Sequence, residues 1–337
     1  MIKLKDIKLG VVLSCFLMAM PVLAANYFMP EVVGSSAYMV RQGHVQGFTP
    51  LSSVLFENPA GLHMTNRNSV SLFSTTLMNE VNYRSFSASK RVPGWGVFAL
   101  GYMGLGVEGI PYINHQSFDG VESYSVSGSF SYLSQLFKMG YQFSMSDRFH
   151  LGLAGNYYRT KFDTVSGSGY NFDIGVYFDY KKVDVSYVLK NVLSSRDIKY
   201  QDTQGGSDLN KAGSSQGRME ELLLESVLSM KYDRQRWRAL AQLRKVEGHS
   251  FVKNASLRYV LFDELLEVSA GYREEPLTRM INEDYITRQD VDRSFTLGVG
   301  LTLFGLNLDY ALEKNLKAEL RHLDFEQFHY FSLGVSL

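Results

Sequence analysis

The sequence predicts an all-β fold: a 14-stranded antiparallel transmembrane β-barrel that follows an N-terminal plug segment. Three observations predict it. Apolar and polar residues alternate with period two in segments of about ten residues, which is the pattern and length of a barrel strand. Short and long connections between these segments alternate, as they do in outer-membrane barrels. After residue 25 no apolar run is long enough for a membrane-spanning helix.

The first residues have the layout of a secretory signal peptide. Lys3, Lys5 and Lys8 precede an apolar run that ends in small residues at Ala24. A positive start, an apolar middle and a small-residue end are typical of a segment that directs export and is then removed. We therefore expect residues 1–24 to be cleaved and the remaining chain to reach the bacterial outer membrane.

Composition excludes several other classes of protein. The chain has 337 residues, with 34 Lys and Arg against 34 Asp and Glu. This balance argues against a nucleic-acid partner, because binding to phosphates needs a basic excess. A single Cys excludes a disulfide scaffold. An apolar fraction of 45% is too high for a disordered chain.

The clearest alternating segment is 169–180. One face carries Tyr170, Phe172, Ile174, Val176, Phe178 and Tyr180, and the other carries Asn171, Asp173, Gly175, Tyr177 and Asp179. In a barrel the apolar face meets lipid and the polar face lines the lumen. A soluble β-sandwich would instead bury the apolar face, but its strands are usually nearer 5–6 residues. Strand length therefore favours the barrel.

Fourteen such segments follow residue 67, and the last one alternates up to Leu337. We place the strands near residues 68–78, 81–91, 95–106, 134–145, 149–161, 169–180, 182–192, 219–232, 235–246, 252–262, 265–273, 292–303, 305–313 and 329–337. Residues 124–130 are an alternative extension of the fourth strand. Connections 193–218 and 274–291 are long and are expected outside the cell, whereas 233–236 is a short periplasmic turn.

Residues 25–67 are not strand-like and contain the run Asn58-Pro59-Ala60-Gly61-Leu62. As a local feature this run is a turn, since Asn caps its own backbone, Pro fixes φ and Gly accepts positive φ. Together with Val188–Val192 and Leu306–Tyr310, it resembles the FadL superfamily of outer-membrane barrels, most closely the PorV/PorQ-type branch. The resemblance implies that residues 25–67 form a plug, with Asn58, Pro59, Ala60 and Gly61 as its motif, inside a 14-stranded barrel of residues 68–337.

The sequence offers no catalytic constellation. None of its seven His lies in a Gly-x-Ser-x-Gly or His-Glu-x-x-His frame. We expect no enzymatic activity, no cofactor and no metal site. Strand 95–106 is apolar on both faces, and we place Phe98, Leu100 and Tyr102 in the lumen as candidate ligand-lining residues. The alternative is that the inward residues of this strand pack against the plug.

Three function classes remain after this reasoning. The first is a passive channel for small hydrophobic molecules, which resemblance to FadL implies. The second is a role in protein secretion or surface attachment, which resemblance to the PorV/PorQ-type branch implies. The third is a structural or adhesive surface barrel. Outer-membrane lipid is an expected partner in each, joined by a hydrophobic ligand in the first and by secretion-machinery proteins in the second.

Overall fold

The computed structural model describes residues 25–26, 30–77, 80–118, 121–194, 196–202, 220–262, 265–280, 287–316 and 327–337. The expected signal peptide, residues 1–24, lies outside them. The strands are β1 (Ala25–Asn26), β2 (Asn68–Leu77), β3 (Val81–Val92), β4 (Gly96–Phe118), β5 (Val121–Ser146), β6 (Phe149–Phe162), β7 (Val165–Tyr180), β8 (Val183–Lys190), β9 (Asp197–Asp202), β10 (Glu220–Glu221), β11 (Glu225–Arg234), β12 (Trp237–Val246), β13 (Phe251–Leu261), β14 (Leu266–Met280), β15 (Thr287–Leu303), β16 (Leu306–Asn315) and β17 (Gln327–Ser336).

Fourteen of these strands, β2–β8 and β11–β17, form one closed antiparallel barrel. The last strand closes on the first, with Phe331 opposite Ser74 and Ser336 opposite Ser69. Strands β8 and β11 pair directly, with Lys190 opposite Glu225. The prediction of a 14-stranded antiparallel barrel is therefore confirmed.

Several strands are longer than the sequence indicated. The expected loop 107–133 is mostly strand, because β4 and β5 continue to pair beyond their barrel neighbours, with Ile110 opposite Phe130. The alternative extension through residues 124–130 is therefore correct. Most of the expected loop 274–291 likewise belongs to β14 and β15, which pair as far as Met280 and Thr287.

The two faces of each barrel strand differ as expected. Phe172 and Ile174 are 48% and 44% exposed on the outer surface. Asn171 and Asp173, between them in sequence, are buried inside. The apolar outer face is the one that contacts lipid, and the polar face turns to the lumen. Among the described residues, no helix has the length and apolarity needed to cross a membrane.

Residues 30–65 lie inside the barrel as a chain of short helical turns. These are the 3-10 helices Pro30–Val33, Ser52–Phe56 and Pro59–Met64 and the α-helix Ala37–Arg41. Nearly every side chain from 33 to 62 is buried. Helices this short are not stable alone, so contact with the barrel wall must hold them. We refer to residues 30–65 as the plug; the domain limits at residues 24 and 67 stay a prediction.

Candidate functional site: the plug and the inner wall

The Asn58-Pro59-Ala60-Gly61 motif joins the plug to two wall strands. The Asn58 side chain caps the following helix, because its Oδ1 accepts a hydrogen bond from the Ala60 backbone N at 2.9 Å. Its Nδ2 donates to the Val176 carbonyl at 3.1 Å, to Ser186 Oγ at 2.8 Å and to the Tyr187 carbonyl at 3.2 Å. The motif is thus both the local turn that its sequence predicts and an attachment point to β7 and β8.

The second half of the plug is held mainly by apolar packing. Val54, Leu55 and Leu62 form a buried cluster with wall residues of two strands, namely Val97 and Ala99 of β4 and Ala154 of β6. A second cluster joins the plug residues Val45, Phe48 and Ala60 to the wall residues Tyr177 and Leu240. These contacts remove apolar surface of both partners from water.

The first half is held by ion pairs in addition to apolar packing, in which Val33, Ala37 and Val40 join a buried cluster of wall residues. Lys138 on β5 is fully buried, and its Nζ lies 2.9 Å from Glu31 Oε1 of the plug and 2.6 Å from Asp173 Oδ2 of β7. Asp173 also accepts a hydrogen bond from Asn156 Nδ2 at 2.8 Å. Lys138 therefore ties the start of the plug to three neighbouring wall strands.

Arg41 forms a second ionic contact on the opposite wall. Its guanidinium donates to Glu267 Oε2 at 2.7 Å and to Asp309 Oδ1 at 2.9 Å. Arg258 contacts the same Glu267 carboxylate at 3.4 Å and donates to the hydroxyl of Tyr38. Burial of Arg41 is tolerated because carboxylates of β14 and β16 neutralise it.

His44 continues this network along the wall. Its Nε2 lies 3.3 Å from Glu313 Oε2, and Arg273 bridges Glu313 and Glu275 at 3.1 and 2.9 Å. Arg244 then pairs with Glu275 at 2.6 Å. Burial, with the Arg273 cation next in importance, lowers the pKa of His44, which favours the neutral imidazole.

A buried carboxyl organises the middle of the plug. Glu57 accepts hydrogen bonds from Ser35 Oγ and Thr49 Oγ1, both at 2.6 Å, and from the Gly47 backbone N at 2.8 Å. Burial raises the pKa of Glu57 above its usual range. Next to it, Lys190 Nζ donates to the Phe56 carbonyl at 3.1 Å. Glu57 thus connects the two halves of the plug to each other.

The candidate ligand-lining residues lie on the other face of their strand. Phe98 and Leu100 are 46% and 55% exposed on the outer surface, and Tyr102 shares their face. The inward residues of β4 are Val97, Ala99 and Met103, which are buried. The prediction that Phe98, Leu100 and Tyr102 lie in the lumen is therefore wrong. Alternation cannot orient a strand that is apolar on both faces. Strand β4 fits the alternative, in which the inward residues pack against the plug.

The lumen between plug and wall is thus dominated by charge. The sequence identified Asp173 and Asn171 as lumen residues, and both are buried there. It did not identify Glu31 or Arg41. It placed Lys138 on the polar face of strand 134–145, where that residue alternates with apolar ones, but it did not predict the ion pairs of Lys138. Within the described part of the chain, no group of three or more His, Cys, Asp or Glu side chains is arranged to hold a metal ion.

Comparison with solved structures supports the FadL-type architecture. The toluene transporter TodX of P. putida superposes with a TM-score of 0.59 at 12% identity, covering 90% of this chain and 98% of that one. A Pseudomonas aeruginosa FadL homologue gives 0.53 at 11% identity, covering 94% and 98%. The monoaromatic hydrocarbon channel CymD gives 0.58 at 11% identity, covering 90% and 98%. At these identities the likeness establishes the fold, and the resemblance to FadL-superfamily barrels is confirmed.

Sequence comparison assigns the family. No curated protein matches the chain. A family model described as the type IX secretion system membrane protein PorP/SprF matches residues 61–335. This match covers the barrel and the end of the plug, including Gly61 of the motif. The chain is an outer-membrane β-barrel protein that belongs to the PorP/SprF family of type IX secretion system membrane proteins.

Proposed function

We propose that this protein serves type IX secretion as a closed barrel that acts through contacts with other proteins, and not as a conduit. The observation that carries the proposal is the attachment of the plug to the wall around much of the barrel. Plug side chains or backbone groups bond to β3, β5, β7, β8, β12, β13, β14 and β16. Membership of a secretion-system family supports the same conclusion.

The chemistry of the lumen also favours this function over a hydrophobic channel. An apolar solute needs an apolar path, with few polar groups. At the level of the plug it would instead meet the Lys138, Arg41 and His44 networks. Removing one partner of a buried ion pair costs about 3–5 kcal/mol, because the other charge stays buried without compensation. Passage past the plug would have to break several such pairs.

The competing function is a passive channel for small hydrophobic molecules. Its support is the fold shared with TodX and CymD, whose names describe a toluene transporter and a hydrocarbon channel. Transport through the lumen would require the plug to move. The two functions therefore differ in whether the protein still works when its plug is fixed.

A disulfide between plug and wall makes this test. Ser52 Oγ on the plug lies 2.9 Å from Ser87 Oγ on β3, and both residues are buried. The chain has one cysteine, Cys15, inside the expected signal peptide, so Ser52→Cys with Ser87→Cys introduces a single new pair. A strain lacking the gene is complemented with wild type, the double variant or either single variant, the last two serving as matched controls.

Secretion of type IX cargo and uptake of toluene are then measured in each strain. We expect the gene deletion to abolish secretion, the double variant to restore it with the disulfide formed, and toluene uptake to stay constant throughout. Loss of toluene uptake on deletion, restored by the double variant only after reduction of the disulfide, would instead support the channel. Secretion that is unaffected by gene deletion would overturn the proposed function.

A further inference from the structure

The end of the barrel that carries the short turns has two chemically distinct sectors. Around the rim, three consecutive turns are basic and join β5 to β6, β7 to β8 and β11 to β12. Their exposed cations are Arg148, Lys181, Lys182, Arg234 and Arg236. The remaining turns and the point of barrel closure are apolar at their tips, with Phe262, Phe304, Leu337 and Trp95 exposed by 71%, 97%, 74% and 70%. We call these the basic sector and the apolar sector.

The cations of the basic sector are not balanced locally. None of the five forms an ion pair with any residue that the structure describes. Arg148 and Lys181 instead lie over the ring of Tyr180, at 5.7 and 5.3 Å from its centroid. The exposed acids nearby are Asp147 and Asp179, and the partly exposed Asp233 pairs with Lys231 and Arg238, so the five cations outnumber the nearby carboxylates.

Cations one or two residues further into the barrel behave differently. Lys231 pairs with Asp184 at 2.7 Å and with Asp233 at 3.2 Å. Arg238 pairs with Glu267 at 2.7 Å. Within the described residues, the cations that point into the lumen are thus neutralised by carboxylates, and the five cations of the adjoining basic sector are not.

Backbone geometry singles out the same turns. Lys181 and Gln235 in the basic sector, and Phe262 and Phe304 in the apolar sector, have φ between +50° and +61°. Gly and Asn adopt this left-handed conformation most easily, and other residues occupy it at a cost of about 1–2 kcal/mol. Two-residue hairpin turns strongly prefer Asn-Gly or Asp-Gly. Lys181, Phe262 and Phe304 thus occupy tip positions that Gly or Asn would adopt with less strain.

We propose that the basic sector is a docking surface for an acidic segment of a periplasmic protein. Five exposed cations that form no ion pair among the described residues complement a cluster of Asp and Glu side chains, and such complementarity fixes orientation and speeds association. A lipid surface explains the pattern less well, because a bilayer surrounds every turn alike, whereas the exposed cations of the described residues at this end of the barrel are concentrated in the basic sector, with Arg67 and Lys90 beside the apolar tips. The exposed aromatic side chains of the apolar sector are instead typical of residues that contact the bilayer interface.

This inference rests on the proposed function, since it names the chemistry of one of the protein partners. It also takes the short turns as the periplasmic end, as barrels of this class have them.

Photo-crosslinking in the native cell tests the proposed docking surface. The photoreactive residue p-benzoylphenylalanine replaces Gln235 in the basic sector or, as the matched control, Phe304 in the apolar sector. Crosslinked peptides are identified by mass spectrometry, and barrel assembly is checked by the heat-modifiable mobility of each variant.

We expect a protein adduct at position 235 whose crosslinked segment carries more Asp and Glu than Lys and Arg. The same partner is not expected at position 304. Combining Lys181→Glu, Lys182→Glu, Arg234→Glu and Arg236→Glu should lower the adduct yield at least about tenfold, as expected when attraction becomes repulsion. Replacing the acidic residues of the captured segment by Lys should then restore it.

Three results would overturn the proposal: adducts to phospholipid only, an adduct yield that charge reversal leaves unchanged, or a crosslinked segment without acidic excess. The secretion assay of the gene deletion distinguishes failure of the proposed function from failure of the docking surface. Normal secretion on deletion, with the adduct present, removes the proposed function and keeps the docking surface. Secretion that is lost on deletion but unaffected by charge reversal, with no adduct, removes the docking surface alone.

Discussion

At the scale of single residues, glycines on the inner wall decide how closely the plug can approach. A Cβ atom on Gly152 of β6 would overlap the backbone of Pro59 and Ala60. A Cβ on Gly155 of the same strand would meet only the ring of Phe172, at 3.4 Å. Backbone cannot move aside as a flexible side chain can, so the two positions differ in what they tolerate.

We expect Gly152→Ala to destabilise the docked plug by about 1–3 kcal/mol, the usual cost of overpacking a filled interior. Gly155→Ala is the matched control and should change stability by less than about 1 kcal/mol. Protease sensitivity of the plug in folded, detergent-solubilised protein measures the first effect, and urea unfolding measures both. Equal behaviour of the two variants would contradict the close contact at Gly152.

We expect His63 to make plug docking dependent on pH. It stacks on His150 with ring centroids 3.9 Å apart, and Ala60 accepts a hydrogen bond from its Nδ1. Burial lowers the pKa of His63 to about 4, from an ordinary value near 6.5. Between about pH 6.5 and pH 4, His63 of a released plug binds a proton that His63 of the docked plug does not. Docking therefore weakens as pH falls through this range.

We therefore expect the stability of the docked plug to be constant above about pH 7 and to decline from pH 6.5 towards pH 4. His63→Asn keeps a donor for the Ala60 carbonyl and cannot titrate. It should remove the part of the decline that His63 causes. Plug protease sensitivity as a function of pH measures the difference between the two proteins. Identical pH profiles would show that His63 does not contribute.

At the scale of elements, face polarity follows from strand alternation. Ile174 lies on the outer face of β7, and a charge there near the bilayer midplane costs about 2–4 kcal/mol. Ile174→Arg should reduce barrel assembly, whereas Ile174→Leu should assemble as wild type does. Heat-modifiable mobility after folding into lipid vesicles measures the folded fraction. Efficient assembly of the arginine variant would place β7 outside the lipid-facing wall.

The neighbouring Gly175 illustrates what alternation alone does not predict. Its polar-face position suggests that a charged side chain would be tolerated in a water-filled lumen. A Cβ there would in fact overlap the side-chain oxygen of Asn58, so substitution should disturb the plug. Strand positions were predictable from sequence because alternation is a local property. The plug contacts were not, since Asn58 meets Ser186 across 128 residues of chain.

Strand β4 marks another limit of sequence reasoning. With apolar residues on both faces, its orientation depends on register with β3, where Ala88 pairs with Leu100. Only barrel closure and the presence of the plug determine which face turns inward. The ionic contacts could not be predicted from sequence either, because partners such as Arg41 and Asp309 are 268 positions apart in the chain. The turn at Asn58-Pro59-Ala60-Gly61 was predictable because its capping chemistry is confined to a few adjacent residues, whereas its place in a plug was implied by the resemblance to FadL-superfamily barrels.

At the scale of the whole molecule, the first half of the plug depends on buried ion pairs in addition to apolar packing, whereas the second half depends mainly on apolar packing. The two halves can therefore be released by different changes. A change that removes a buried cation should loosen residues 30–45 while Val54, Leu55 and Leu62 keep the rest in place. The barrel itself does not depend on these pairs, because its strands are hydrogen-bonded into a closed sheet. Loosening should therefore change permeability more than assembly.

Lys138→Met tests this division of the plug. It leaves Glu31 and Asp173 buried without their cation, which costs about 3–5 kcal/mol in the docked state. We expect wild-type protein in planar lipid bilayers to show rare or no openings, and Lys138→Met to open repeatedly. Arg67→Gln changes an exposed cation that immediately precedes β2. It is the control and should behave as wild type does. Adding Asp173→Asn and Glu31→Gln to Lys138→Met removes the unpaired charges and should restore closure in part. If wild type already conducts steadily, or if Lys138→Met stays closed, the ion pairs of the first half of the plug do not hold the lumen shut.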